Sequence, residues 1–172
     1  MQLGADGCFS YRHLRSAGDG PILYEPTYFL PKEKVDSAQR RVAQARAEGK
    51  KKNSSPVSVL PQATVDMCQE SWEAANEKKR RADSKRYDAS GIFVMTCCHS
   101  QVLFLCNIDT PGEQQHYIVV LIEHVASLLP PQATILQAYD IGCVTDHSLN
   151  LVRLSLSFSC RHRIIRYIVS HA

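Results

Sequence analysis

No apolar run in this sequence approaches the ~20 residues that a helix needs to cross a bilayer, so no membrane-spanning helix is expected. The opening residues, Met1-Gln2-Leu3-Gly4-Ala5-Asp6, lack both the charged and the apolar stretch of a secretory signal, and a secreted protein is not expected either. Seven cysteines cannot all pair, and Cys97 and Cys98 are adjacent. Without a secretory signal, reduced thiols or metal ligands are expected in place of a disulfide framework. A uniformly basic coat is also lacking, because 20 Lys+Arg stand against 17 Asp+Glu for a formal charge of +3. The sharpest absence is local. From Tyr87 to Asn150 there is no lysine or arginine, while Asp88, Asp109, Glu113, Glu123, Asp140 and Asp146 all fall there.

What is present divides a chain of 172 residues, enough for one domain with a sizeable core, into unlike parts. Lys32 to Arg86 holds 14 of the 20 basic residues against 8 acids. Such a run is commonly a solvated helix face, and it can equally track phosphate. The acid-only segment suits hard divalent cations, because oxygen donors without a competing ammonium favour Mg²⁺. It also suits an ordinary sheet whose basic partners lie elsewhere.

Residues 2–14 alternate in character and predict a strand, with Asp6 on its more polar side. Pro21, Pro26 and Pro31 mark a loop. Lys32 to Glu48 predicts a helix ending at Gly49, and Lys50-Lys51-Lys52-Asn53-Ser54-Ser55-Pro56 a basic linker with little order. Thr64 is a candidate N-cap for a second helix with an apolar stripe of Val65, Cys68, Trp72 and Ala75, ending in Lys78-Lys79-Arg80-Arg81. Ile92 to Thr96 and Val102 to Ile108 predict a hairpin. Thr110-Pro111-Gly112-Glu113 has the residues of a helix start. The helix that follows is expected to bury Tyr117, Val120, Leu121, His124, Val125 and Leu128, before Pro130-Pro131 stops it. Thr134 to Tyr139 is a further apolar run leading to Asp140.

The order strand, hairpin, helix, strand predicts an α/β fold with a ribonuclease H-like core, a mixed sheet with a crossover helix. A right-handed crossover sets the 134–139 strand parallel to the first one and beside it. Asp6 and Asp140 could then converge, and two carboxylates near strand ends can bridge paired cations for phosphoryl transfer. By spacing alone, an edge carboxylate and a turn residue account for the same pattern.

Five stretches add a resemblance. Gly4 to Ser10 resembles the opening of the KDZ (Kyakuja-Dileera-Zisupton) transposase domain, a family abundant in fungi. Val65 to Asp88 is similar to that family's Cys- and Ala-Ala-containing helix, Gly91 to Cys106 to its Cys-Arg-His hairpin, and Gly112 to Tyr117 to its Gly-Glu helix start. Tyr139-Asp140-Ile141-Gly142-Cys143 matches its YDIGC signature. The resemblance spans most of residues 4–147, in the family's order. It implies a DDE-type transposase that cleaves and joins DNA at transposon ends with Mg²⁺ or Mn²⁺, in the nucleus, with Asp6 and Asp140 as the first two catalytic, metal-holding acids. Lys50, Lys51, Lys52, Lys78, Lys79, Arg80 and Arg81 would bind DNA, and a homo-oligomer is compatible with this.

This chain departs from the family at the hairpin, where Cys97-Cys98-His99 stands for Cys-Arg-His. Ser170-His171-Ala172 resembles the beginning of a family motif, HAYGHQW, after which the third acid is expected. Asp146 follows Asp140 too closely to replace it. The expectation is therefore an incomplete core, inactive by itself, as a clipped or decayed copy. It divides into first strand and loop (1–31), basic helical insertion (32–86), hairpin, helix and strand (87–147) and a truncated helical segment (148–172). A catalytically dead remnant with weak DNA binding is the alternative. A third reading is an interaction module stabilised by Zn²⁺ on Cys68, Cys97, His99 and Cys143, although core packing accounts for the same thiols.

Overall fold

A computed structural model describes residues 1–21, 26–52, 66, 86–130, 132–139 and 164–168, with backbone alone for 49–52 and 164–168. Its elements are β1 (Gln2–Cys8), β2 (His13–Leu14), α1 (Lys32–Lys52), β3 (Tyr87–Ala89), β4 (Gly91–Cys97), β5 (Val102–Ile108), α2 (Gln115–Leu128), β6 (Ile135–Ala138) and β7 (Ile164–Ile168). The fold is mixed α/β. Five strands form one sheet in the order β5-β4-β1-β6-β7, and β2 and β3 form a separate two-stranded ribbon.

The expected hairpin is β4–β5, antiparallel with Phe93 opposite Cys106 and Val94 opposite Leu105. β1 is the central strand. It runs antiparallel to β4, with Asp6 opposite Val94, and parallel to β6, with Gly4 opposite Ala138. The parallel neighbour expected for the first strand is therefore the 135–138 segment. The first strand is shorter than the alternation of residues 2–14 predicts. It ends at Cys8, and the chain turns before resuming as β2 in the ribbon.

Side chains alternate across the sheet, so one face carries Leu3, Phe93, Met95, Cys106, Ile108, Ile135 and Gln137, all buried. Against this face lies α2, whose central residues Tyr117 to Ile122 are all buried. A helix apolar on every side must be covered on every side. The remaining cover comes from α1, through Val35, Ala38 and Val42 at helical spacing. Arg41 fastens the pair with two hydrogen bonds to the Glu123 carboxylate, at 2.6 and 2.5 Å. The start of the basic insertion is thus helical, stands outside the sheet's strands and contributes Val35, Ala38 and Val42 to the core.

Four local expectations are corrected. Gly49 does not end α1, which continues through Lys50, Lys51 and Lys52. Ammonium groups at the negative end of a helix dipole favour that extra turn, against a glycine cost of about 1 kcal/mol. α2 starts at Gln115, after an extended Gln114, and not at Pro111. The Tyr117 hydroxyl accepts hydrogen bonds from the Asp109 and Thr110 backbone N–H groups, at 3.0 and 3.1 Å, and Gly112 takes a left-handed φ of 75°. Thr110 to Gly112 is thereby held as a turn. Leu128, expected inside, is 62% exposed at the end of its helix. Within 148–172, Ile164–Ile168 is not helical but a strand paired parallel to β6, as its β-branched run suits. The expected helix over 65–81 lies outside the described residues, apart from Asp66, which is helical.

The β5 edge is covered by the extended segment before α1. Leu30 N–H donates to Leu105 O, and Leu105 N–H to Tyr28 O, both at 2.8 Å. This blunts an edge that would otherwise pair with other chains.

Candidate functional site

The fold brings the expected acid Asp6 to the middle strand of the five-stranded sheet, near the C-terminal end of β1. Its face is the one away from α2, shared with Gly4, Val94 and Ala138. Asp6 is exposed, and its Oδ1 accepts a hydrogen bond from the Gly7 N–H at 2.7 Å. Among the described residues no cation pairs with it, in keeping with the basic-free segment that supplies both its neighbouring strands. Asp140 lies outside the described residues, directly after Tyr139.

Behind Asp6, on the α2 face, the same strand ends are tied together. Glu113 is buried and accepts a 2.7 Å hydrogen bond from the Tyr139 hydroxyl. A Cβ built on Gly7 would stand 3.2 Å from the Glu113 carboxylate, so the glycine in β1 makes room for this acid. Tyr139 also meets Phe93 edge-on, with ring centroids 5.9 Å apart, and Phe93 stacks with Tyr117 at 6.0 Å. In the sequence Glu113 reads as a residue of a helix start, with a carboxylate free in principle to serve as a further metal ligand. Its role depends on which strand follows β1 in the sheet, and no local pattern carries that information.

Asp109 is engaged as well. It receives a hydrogen bond from Tyr117 Oη at 2.9 Å and an ion pair from Lys32. Burial pushes its carboxyl up, but the Lys32 and Tyr117 hydrogen bonds outweigh this and hold it below the ordinary value. Asp109 and Glu113 are both committed to internal partners, so neither stands as a spare carboxylate beside Asp6.

The thiols separate by environment. Cys106 is fully buried and burial pushes its pKa up to about 12, which marks a core residue. Cys97, Cys98 and His99 sit at the β4–β5 tip, where Ser100 adopts a left-handed φ of 60°. His99 Nδ1 lies 3.8 Å from Cys97 Sγ and 3.6 Å from Cys98 Sγ. Backbone hydrogen bonds from His99 and Gln101 hold the Cys97 thiol below its usual value. The expected partners Cys68 and Cys143 lie outside the described residues. Among the described residues no three His, Cys, Asp or Glu side chains converge as a metal site. His124, expected in the core, is half-buried with its ring edge-on to Phe104 at 4.6 Å.

Of the expected DNA-binding residues, Lys50, Lys51 and Lys52 form the last turn of α1, and Lys78, Lys79, Arg80 and Arg81 lie outside the described residues. No described helix is long and apolar enough to cross a membrane.

No curated protein and no solved structure matches this chain. A family model does. It is described as KDZ, Kyakuja-Dileera-Zisupton transposase, and it matches residues 1–171, nearly the whole length. The motifs around Asp6, the 91–106 hairpin, the Glu113 turn and the Tyr139–Asp140 junction thus fall within one continuous match, and the chain belongs to the KDZ transposase family.

Proposed function

We propose that this chain supplies the metal-holding strand pair of a ribonuclease H-like transposase core, acting on DNA at transposon ends in the nucleus. The observation that carries this reading is the parallel pairing of β1 with β6, in which Gly4 stands opposite Ala138. Asp6 lies two residues beyond Gly4 in β1, and Asp140 follows Ala138 by two residues in the sequence. The sheet order, with a hairpin on one side of β1 and a helix-linked parallel strand on the other, supports the ribonuclease H-like assignment.

Asp6 and Asp140 would hold Mg²⁺ or Mn²⁺. The chemistry of the donors suits these ions: short, hard carboxylate oxygens, one of them exposed and pinned by a backbone N–H, with no described cation competing. When bound, such ions polarise a phosphodiester and favour the attacking and leaving oxygens of an in-line displacement. The chain's own part is positional. The Tyr139–Glu113 hydrogen bond and the close fit of Glu113 on Gly7 tie the residues next to the two acids to one another. The basic insertion would neutralise phosphate without reading sequence. Since no residue here is assigned as a third acid, the pure chain is proposed to bind metal and DNA without completing cleavage.

Mn²⁺ titration of the full chain tests this beside Asp6→Asn, Asp140→Asn and the double variant, together with a nuclease assay. Each single variant should weaken Mn²⁺ binding at least tenfold, and the double variant should add little, as for a shared site. Single variants that bind like the wild type overturn the paired-acid assignment. Metal-dependent cleavage by the wild type that the double variant loses overturns the proposed inactivity and keeps the site.

A further inference from the structure

The chain does not pass directly from β1 to the basic insertion. It first makes β2, which pairs with β3 as a ribbon that the sheet does not include. His13 stands opposite Ala89, and Arg15 N–H donates to Arg86 O at 3.1 Å. Arg12, Arg15 and Arg86 are all exposed on it. The guanidiniums of Arg12 and Arg86 lie 5.5 and 5.8 Å from the centroid of the Tyr87 ring, a cation–π arrangement that sets two positive charges beside one aromatic ring. The carboxylate on the ribbon, Asp88, is already taken, because His13 Nδ1 lies 2.7 Å from its Oδ1. Among the described residues, none of the three arginines has an ion pair. Tyr11, next to Arg12, is 66% exposed.

Three exposed arginines with no ion pair among the described residues, two of them held at the Tyr87 ring and one adjacent in sequence to the exposed Tyr11, form a surface suited to a polyanion with stackable rings. We infer that the β2–β3 ribbon is a second DNA-contacting element, in which Arg12, Arg15 and Arg86 engage phosphates and Tyr11 packs against the strand. This rests on the proposed action on DNA and adds to it Arg12 and Arg15, which precede the basic insertion, together with Arg86 at its end. The ribbon lies at the end of β1 that carries Asp6. β3 runs into β4 through Ser90 alone, and Ala89 precedes Val94, the residue opposite Asp6, by five positions. At ~3.3 Å per residue this is at most about 17 Å, or about five base pairs at the ~3.4 Å spacing of duplex DNA. Contacts there would hold the duplex flanking the phosphodiester presented to Asp6. Arginine suits the task, because its planar fork matches phosphate oxygens and stays charged while stacked on tyrosine.

The test is fluorescence anisotropy of a labelled random-sequence duplex with the full chain, between 50 and 200 mM salt. The proteins are the wild type, an Arg12→Ala, Arg15→Ala, Arg86→Ala triple variant, its Arg→Lys counterpart, and a Lys50→Ala, Lys51→Ala, Lys52→Ala control. Each lost phosphate contact lowers the slope of log affinity against log salt by about 0.9. The alanine triple should therefore lose between two and three units of slope and at least tenfold in affinity at 50 mM salt, and the lysine triple should keep most of the slope. A circular dichroism melt like that of the wild type excludes misfolding as the cause. If the wild type binds and the alanine triple matches it within twofold, the ribbon assignment is overturned and the DNA reading survives. A wild type with no affinity for DNA overturns both.

Discussion

His116 makes the stability of this fold depend on pH in a window that can be isolated. The side chain is 4% exposed in the first turn of α2, and its Nε2 finds no hydrogen-bond partner among the described residues. Burial lowers its pKa from 6.5 to about 4. The nearby charges offset one another in part, Asp109 and Asp36 favouring the proton while Arg46 and Lys32 oppose it. The unfolded chain binds a proton on this histidine near pH 6.5, whereas the folded chain waits until about pH 4. Between those values the unfolded state carries the extra proton, so stability falls as pH falls. At about 1.4 kcal/mol per unit, the 2.5-unit gap amounts to roughly 3 kcal/mol lost, a large share of the ~5–15 kcal/mol that holds a domain together. Asp88 and Asp109, both held below the usual carboxylate value, lose their contributions only as pH drops through and below the ordinary carboxylate range. His124 is lowered by burial and then by the charge of Lys34, and it adds with the same sign in the same window. The comparison is therefore made in a His124→Gln background, with and without His116→Gln. Urea unfolding followed by circular dichroism from pH 7 to pH 4 should show the His116 protein losing about 3 kcal/mol more than its glutamine counterpart. Parallel curves across that range would refute the assignment of His116 as a buried neutral residue.

Three further substitutions probe the frame around Asp6. Tyr117→Phe removes the hydroxyl that accepts from the Asp109 and Thr110 N–H groups and donates to Asp109, and it should lower the unfolding free energy by about 1–3 kcal/mol; an unchanged urea midpoint would speak against that network. Gly91→Ala sets a Cβ 2.4 Å from the Cys8 carbonyl oxygen, so β1 and β4 must separate there, at a cost of about 1–3 kcal/mol; hydrogen exchange of the paired amides should rise, and protection equal to the wild type would contradict it. Phe93→Ala empties the centre of the Tyr117–Phe93–Tyr139 ring cluster and should cost about 3–5 kcal/mol in thermal or urea unfolding; a loss below 1 kcal/mol would mean that the core closes over the gap.

Local order was legible wherever the signal is local. The hairpin follows from two β-rich runs around a polar turn, and α1 from a run of Ala, Arg and Gln after Pro31. The edges of elements were not. Thr110-Pro111-Gly112-Glu113 has every residue of a helix start and still forms a turn, because Tyr117, seven residues on, takes the backbone donors of Asp109 and Thr110. The Ile164–Ile168 strand was missed because the segment after 148 was assigned to one helical end, while its β-branched residues pair only with a strand remote in sequence.

The sequence by itself determined the alternation that sends Leu3 inward and Asp6 outward, the absence of basic residues across the strands flanking β1, and the motifs that carry the family match along residues 1–171. These are properties of neighbours along the chain, set by side-chain chemistry and backbone period. Only the tertiary structure decided the register of the expected β1–β6 pair, with Gly4 opposite Ala138, and that Glu113 is buried against Gly7 under the Tyr139 hydroxyl. It also decided that Arg12, Arg15 and Arg86 share one ribbon. Each of these arrangements brings together segments far apart in sequence, which no local pattern of side chains specifies.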